Sequence, residues 1–249
     1  PRKCSLPAVN NFQESVKNTG HAGESQVVTI PTATKDVTWD NVKALWAKSE
    51  PRHPLWKHML DAAAVSLALR FPREDFGWTN EAIAFLTGLH DVGKADPCFQ
   101  HQITDFSEEL ERAGFGKTGD AKCRHERISA RFIKAWLTEQ KLDDYTADAV
   151  SRTIIVHHGY WNETARPSAE KYAQAQQELC GMLLRLLQFP NPSPQTPLNL
   201  SAFGMCLAGH IVLCDWIASN EEFFCDARLR DIDDPETYFE SAKKVAGDW

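Results

Sequence analysis

Segments in which apolar residues recur every three or four positions fill most of the chain after residue 40. This spacing places the apolar residues on one face of an α-helix, and prolines, glycines and capping residues separate the segments. The predicted helices cover residues 40–49, 54–71, 79–91, 123–140, 145–158, 168–189 and 200–219. Residues 200–219 are nearly apolar throughout, which predicts a central position. Strands do not alternate with helices, so the predicted fold class is all-α.

Residues 1–40 differ from the rest of the chain in composition. They are rich in Ser, Thr, Asn, Gly and Pro, and only "QVVTI" suggests a short strand. We interpret residues 1–40 as a polar extension or linker and residues 41–249 as a single domain. The segment "GFGKTGD" at 114–120 contains Gly-Lys-Thr, but Glu111 occupies the position of the first P-loop glycine. It is therefore predicted to be a surface loop between helices rather than a phosphate loop.

Charge and cysteine content limit the possible partners and compartments. The formal net charge is -7, so no large basic surface is expected to attract nucleic acid. Seven cysteines without a C-x-x-C pair, several of them within apolar helical segments, indicate reduced thiols and a cytoplasmic protein. No early apolar run resembles a signal peptide, and we expect no segment that spans a membrane.

Several polar residues interrupt the apolar faces of the predicted helices. Asp215 lies in a strongly apolar segment with no cationic residue close to it in sequence, and burying such a carboxylate is costly unless it is paired or binds a cation. A divalent metal is the simplest explanation. The candidate ligands are His58, His90, Asp91, His125, His157, His158 and Asp215.

The number and type of these candidates predict two metal ions. Neighbouring helical residues point about 100° apart, so the pairs "HD" and "HH" can reach two ions lying side by side, with Asp91 as a possible bridge. Two ions about 3.5–4 Å apart are a recurrent device for attack at phosphorus. Imidazole and carboxylate ligands suit Fe, Mn, Co, Ni or Zn better than an all-oxygen Mg or Ca site. Of these cations, we expect Mn, Fe, Ni or Co rather than Mg or Zn. Each histidine alone has an ordinary structural interpretation, and His21, His53, His101 and His210 are left out because of their settings.

The motifs also resemble a known family. "GLHDVGKADPCFQ" carries H-D-x-G-K, preceded by one histidine and followed by a lone histidine, an H-H pair and a late D-W. This order resembles the HD phosphohydrolase superfamily. More narrowly, "LWAKSEPRHPLWKHMLDAAAVS", "HHG" and "CDWIAS" resemble the HD nuclease domain of the type I CRISPR-associated nuclease-helicase, over about residues 43 to 245.

That resemblance implies an HD-domain helical bundle with a central dinuclear metal site that cleaves single-stranded DNA, as endonuclease and exonuclease, in type I CRISPR interference. His58, His90, Asp91 and Asp215 would hold one metal, and Asp91, His125, His157 and His158 the other. Lys94 would add positive charge at the transition state, although a lysine there can equally complement a helix dipole. The family's helicase half is absent from these residues. A helicase domain or subunit and an RNA-guided surveillance complex are the implied partners, with poor affinity of the isolated chain for DNA and no membrane association.

Two other interpretations remain open. The first is an HD phosphohydrolase acting on nucleotides or cyclic dinucleotides, which would need a closed pocket rather than an open groove. The second is an inactive, metal-stabilised docking module. Three aromatic residues flank the metal motifs and could stack on bases, but such residues beside apolar helices usually belong to the core. They are Tyr160, Trp161 and Trp216.

Overall fold

The computed structural model describes residues 37–71, 77–117, 124–158, 167–188, 199–224 and 227–248. Most of them are helical, which confirms the predicted fold class. The helices are α1 (Trp39–Lys43), α2 (Leu55–Leu69), α3 (Asn80–Gly88), α4 (Pro97–Gln100), α5 (Ser107–Arg112), α6 (His125–Glu139), α7 (Asp144–Val156), α8 (Glu170–Leu186), α9 (Leu200–Ala218), α10 (Glu221–Phe224), α11 (Ala227–Arg230) and α12 (Pro235–Gly247). Two 3₁₀ helices, Leu89–Lys94 and Thr104–Phe106, connect some of them.

A short antiparallel hairpin precedes α2. Strand β1 (Trp46–Ser49) pairs with β2 (Arg52–Pro54). The predicted helix over 40–49 is therefore wrong beyond Lys43. The reason is tertiary, because the side chain of Gln100 binds the backbone of Trp46 through both its oxygen (3.1 Å) and its nitrogen (2.8 Å).

Helix α2 lies at the centre of the bundle. Every residue from Leu55 to Ser66 is buried, and α2 packs against α3, α9 and α12. A helix that is buried on all sides can carry polar groups only where they find partners. The buried polar residues of α2 therefore need hydrogen-bond or ion-pair partners in the neighbouring elements.

Helix α9 lies at the side of the bundle, so its predicted central position is wrong. Phe203, Leu207 and Ile211 are buried, whereas Met205 and Trp216 are 78% and 70% exposed. Within the described residues, α9 is also the one helix that is long and apolar enough to cross a membrane by length and composition, which the sequence analysis did not expect. Its packing against α2 and α7 accounts for its buried apolar positions.

The described cysteines are free thiols. They are Cys98, Cys180, Cys206 and Cys214. Most of the extension over 1–40, the end of the 114–120 loop, Tyr160 and Trp161 lie outside the described residues.

Candidate metal centre

The H-D-x-G-K motif lies on a 3₁₀ helix that follows α3. Thr79 caps α3 by accepting a hydrogen bond from the backbone of Ala82, and after Gly88 the chain continues as the 3₁₀ helix Leu89–Lys94. Within it, His90 Nδ1 lies 2.7 Å from the carbonyl oxygen of Thr87. Because a carbonyl can only accept, Nδ1 donates, so in the neutral ring the lone pair is on Nε2. This hydrogen bond fixes the ring in the orientation that a metal ligand needs.

Gly93 allows this 3₁₀ helix to lie directly on the start of α6. Its N–H donates to Ser129 Oγ over 2.8 Å. A Cβ at position 93 would lie 2.1 Å from the carbonyl oxygen of His125 and 2.6 Å from the backbone nitrogen of Ser129. Only glycine fits such an approach. The contact brings His125, the first residue of α6, beside Asp91.

One group consists of Asp91 and three side chains that lie around one of its carboxylate oxygens. His58 Nε2 lies 3.0 Å from Asp91 Oδ2 and 3.3 Å from Asp215 Oδ1. His90 Nε2 lies 3.4 Å from each of the same oxygens. One atom from each of these four residues lies within 4.8 Å of all the others. The group joins α2, the 3₁₀ helix and α9, segments that are far apart in sequence.

A second group surrounds the other oxygen of Asp91. His125 Nε2 lies 3.1 Å and His157 Nε2 3.9 Å from Asp91 Oδ1. His158 Nε2 lies 3.1 Å from His125 Nε2. These four residues also bring one atom each within 4.8 Å of one another. Asp91 therefore turns one carboxylate oxygen towards each group.

Several buried atoms in these groups form no hydrogen bond of normal geometry among the described residues, although His58 Nε2 and Asp91 Oδ1 lie 3.0 and 3.1 Å from an atom of another candidate ligand. They are both ring nitrogens of His58, Nε2 of His90, Oδ1 of Asp91 and Nε2 of His157. Buried polar atoms are rarely left so, and each exception needs an explanation. His157 Nδ1 donates to the carbonyl oxygen of Ile154, so its free Nε2 also carries a lone pair. Five imidazoles and two carboxylates arranged in this way fit a pair of divalent cations.

Burial and neighbouring charges together determine the pKa values of the side chains in the centre. Burial lowers the pKa of His90, but the carboxylates of Asp91 and Asp215 outweigh it and raise that pKa to about 10. Burial also tends to raise the pKa of Asp91, yet His90 and Lys94 hold it well below its usual value. Burial, together with the nearby His90, lowers the pKa of His157 to about 3. Without a cation, the centre therefore holds ionised carboxylates and a protonated His90, and an incoming cation would displace that proton.

Lys94 belongs to the same centre. Its Nζ lies 2.6 Å from Asp91 Oδ2, and its side chain is 12% exposed. Lys94 ends the 3₁₀ helix, as expected for a residue that complements a helix dipole. The ion pair with Asp91 also brings its charge next to both groups of candidate ligands.

The histidines left out of the prediction lie outside the two groups wherever the structure describes them. His210 contacts Ser66 (2.8 Å), His53 contacts Asp61 (2.8 Å) and His101 contacts Tyr172 (3.1 Å). Trp216, which the sequence analysis favoured as a core residue, is 70% exposed beside Asp215. Aromatic residues beside apolar helices usually belong to the core. Trp216 does not, because the face of α9 that carries it is turned towards solvent.

The sequence analysis did not identify Ser219, whose hydroxyl donates to Asp215 Oδ1 over 3.1 Å. The only sequence signal for this contact is its position, four residues after Asp215 on the same helical face. The backbone carbonyls of Thr87 and Ile154, which orient two rings, carry no sequence signal.

Comparisons with known proteins agree with this fold. The family model described as "Cas3, HD domain" matches residues 46–224. A CRISPR-associated endonuclease/helicase Cas3 from Thermus thermophilus is 34% identical over 73% of this chain, which corresponds to 22% of that protein. A CRISPR-associated nuclease/helicase Cas3 from Streptococcus thermophilus is 29% identical over 56% of this chain and 18% of its own length.

A solved structure of an HD domain alone matches most of this chain. The crystal structure of the Thermus thermophilus cas3 HD domain in the presence of Ni²⁺ has a TM-score of 0.59 at 27% identity and covers 84% of this chain and 88% of that chain. The chain spans about a fifth of the length of the two curated relatives. By the match of its family model and its identity to the first relative, this chain belongs to the Cas3 HD domain family.

Proposed function

We propose that this chain is a metal-dependent nuclease that hydrolyses phosphodiester bonds of single-stranded DNA in type I CRISPR interference. The observation that supports it most is the arrangement of Asp91, whose two oxygens each face a separate group of candidate ligands. A bridging carboxylate of this kind is typical of two-metal phosphodiester chemistry. Both curated relatives are named as nucleases.

The proposal assigns the seven candidate ligands to two cations. His58, His90, Asp91 and Asp215 would hold the first, and Asp91, His125, His157 and His158 would hold the second. Mn, Fe, Ni or Co suit this nitrogen-rich set. The first set is buried except for Asp215, whereas His158 of the second set is exposed. Substrate would therefore approach from the side of His158.

Two bound cations would activate a water nucleophile and neutralise charge on the phosphoryl oxygens. The protein's own part is to hold its ligands rigidly. The carbonyl oxygens of Thr87 and Ile154 fix the rings of His90 and His157, and Ser219 orients the carboxylate of Asp215. Lys94, held by Asp91, would bring positive charge to the transition state as negative charge develops.

Two features support a single strand as substrate and a larger assembly around it. Trp216 is exposed next to Asp215 and offers a surface on which a base can stack. The curated relatives are nuclease-helicase proteins of which this chain spans about a fifth. We therefore propose that a helicase domain or subunit, recruited by an RNA-guided surveillance complex in the cytoplasm, delivers the strand.

The test is cleavage of a circular single-stranded DNA by metal-stripped protein that receives Mn, Ni, Co, Fe, Zn and Mg in turn. Asp91→Ala removes the shared ligand, and we expect its rate to fall by about a thousandfold, since two-metal stabilisation contributes several kcal/mol. The matched control is Asp148→Ala, which removes a surface carboxylate paired with Lys134 and Arg152. It should cut at the wild-type rate.

Two outcomes would contradict the proposal. Turnover of a nucleotide or cyclic dinucleotide, without cutting of DNA by any cation, would indicate a small-molecule phosphohydrolase. Tight metal binding with no hydrolysis of either substrate would indicate an inactive docking module.

A further inference from the structure

The hairpin that precedes α2 contacts two of the segments that carry candidate ligands. Its first strand, β1 (Trp46–Ser49), contains most of the "LWAKS" motif. Neither Trp46 nor Lys48 belongs to the two groups of candidate ligands around Asp91. The proposed function therefore leaves this motif without a role, although its side chains lie close to the metal centre through their neighbours.

Strand β1 is fixed to the segment that carries Asp91. The side chain of Gln100, which is buried, accepts a hydrogen bond from the backbone N–H of Trp46 and donates one to its carbonyl oxygen. The same side-chain nitrogen donates to the carbonyl oxygen of Lys94 over 2.9 Å. In return, Trp46 Nε1 donates to the carbonyl oxygen of Gln100 over 3.2 Å. Gln100 thus connects β1 to the end of the 3₁₀ helix Leu89–Lys94.

Lys48, two residues further along β1, contacts the end of α9. Its ammonium group donates to the carbonyl oxygen of Ser219 over 2.8 Å. Ser219 is the C-cap residue of α9, and its hydroxyl donates to Oδ1 of Asp215 over 3.1 Å. A short chain of contacts therefore leads from Lys48 through Ser219 to a candidate ligand.

The end of α9 gains from a cation supplied by another element. The C-terminus of a helix carries partial negative charge and unpaired carbonyl groups, so a carboxylate in the last turn is unfavourable there and a lysine is favourable. Helix α9 has Asp215 in its last turn and no basic residue in that turn. Lys48 provides from the hairpin the charge and the donor that α9 lacks.

We propose that Lys48 is a positioning residue of the metal centre, which holds the end of α9 so that the carboxylate of Asp215 stays beside Asp91. The hairpin then connects the two segments that provide these carboxylates, one through Gln100 and the other through Lys48. Residues behind the ligands of a metal commonly change its affinity about tenfold or more when they are removed. The effect on metal rests on the proposed function, whereas the hold of Lys48 on α9 does not.

The first experiment titrates metal-stripped wild type and Lys48→Met with Mn²⁺ by calorimetry. We expect the ion bound by Asp215 to bind about tenfold more weakly in the variant, and the other ion to keep its affinity. Lys48→Arg keeps the charge and the donors and should restore most of the affinity. Lys43→Met is the matched control, because Lys43 pairs with Asp233 at 2.8 Å, and it should bind both ions as the wild type does.

The double variant Lys48→Met/Ser219→Ala tests the route through Ser219. Because both changes break the same chain of contacts, its loss of affinity should be smaller than the product of the two single losses. Wild-type affinity for both ions in Lys48→Met would overturn the proposal. Losses that simply multiply would also overturn it, since Lys48 would then act independently of Ser219.

Hydrogen exchange of the metal-free protein tests the hold on α9 separately. The amides at the end of α9 include that of Ser219, which donates to the carbonyl oxygen of Asp215 over 2.8 Å. They should exchange about tenfold faster in Lys48→Met, while the amides of α2 keep their rates, because the loss of a hydrogen bond to a charged group acts locally.

A general loss of stability would instead speed exchange throughout the bundle, and it would overturn the proposal. Unchanged exchange at the end of α9 would overturn it even if the wild type bound no metal. A wild type that binds no metal, with the expected local change in exchange, would contradict the proposed function and leave the hold of Lys48 on α9 supported.

Discussion

Two buried histidines illustrate how single neighbours decide the charge of a side chain. His90 lies against the carboxylates of Asp91 and Asp215, which raise its pKa to about 10 despite burial. His210 is also buried, but among the described residues the hydrogen-bond partner of its ring nitrogen is the hydroxyl of Ser66, at 2.8 Å, and burial lowers its pKa to about 4. His90 is thus charged in the metal-free protein near pH 7, whereas His210 is neutral.

His210 makes the stability of the fold depend on pH. Its pKa is about 4 when folded and 6.5 when unperturbed. As the pH falls from 6.5 to about 4, the unfolded chain takes up a proton that the folded chain does not, so the free energy of unfolding decreases. The loss should reach about 3 kcal/mol. Urea unfolding of metal-free wild type and His210→Gln over this range measures it. We expect the wild type to lose more stability by that amount, and parallel curves would contradict this assignment.

At the residue scale, the candidate ligands were easier to predict from the sequence than the solvent exposure of side chains. The seven candidate ligands stood out because each interrupts an apolar segment, and the structure brings them into two groups around Asp91. That they bind metal stays a prediction. The exposure of Trp216 was not predictable, because nothing within the apolar stretch of α9 indicates which face lacks a packing partner.

At the scale of elements, the contact between the 3₁₀ helix Leu89–Lys94 and α6 determines the geometry of the centre. Gly93 lets the two backbones meet, and Asp91 and His125 come together as a result. Periodicity predicted α6 and the helix over 79–91 that precedes Gly93. It carries no information about how closely two elements approach. The hairpin was missed for a similar reason, since the partner of Trp46 is Gln100, which is 54 residues away.

Gly93→Ala tests the importance of that contact. The added Cβ would lie 2.1 Å from the His125 carbonyl oxygen, so the two elements must separate. We expect a loss of about 3 kcal/mol in the free energy of unfolding, together with loss of DNA cleavage. Gly209→Ala is the matched control, because nothing lies within 4 Å of its added Cβ and alanine favours helix. Wild-type stability and cleavage in Gly93→Ala would show that the contact does not control the centre.

At the scale of the whole molecule, the charge distribution and the metal centre are linked. The chain is acidic overall, with a formal charge of -7, and in the cavity beside His53 the side chains of Lys43 and Arg52 are paired with Asp233 and Glu109. Bound divalent cations would add positive charge next to that cavity. Under the proposed function, a DNA strand would then be attracted mainly by these cations, which fits delivery by a partner.

The most direct test of this account is a titration of the metal-stripped chain with Mn²⁺, in which bound metal is measured by mass spectrometry and spin coupling by electron paramagnetic resonance. We predict two equivalents per chain and the spectrum of a coupled pair, because Asp91 turns an oxygen to each group. Asp91→Asn should abolish the coupling, whereas Asp148→Asn should preserve it. A single equivalent in the wild type, or two uncoupled ions that Asp91→Asn leaves unchanged, would contradict the bridged pair.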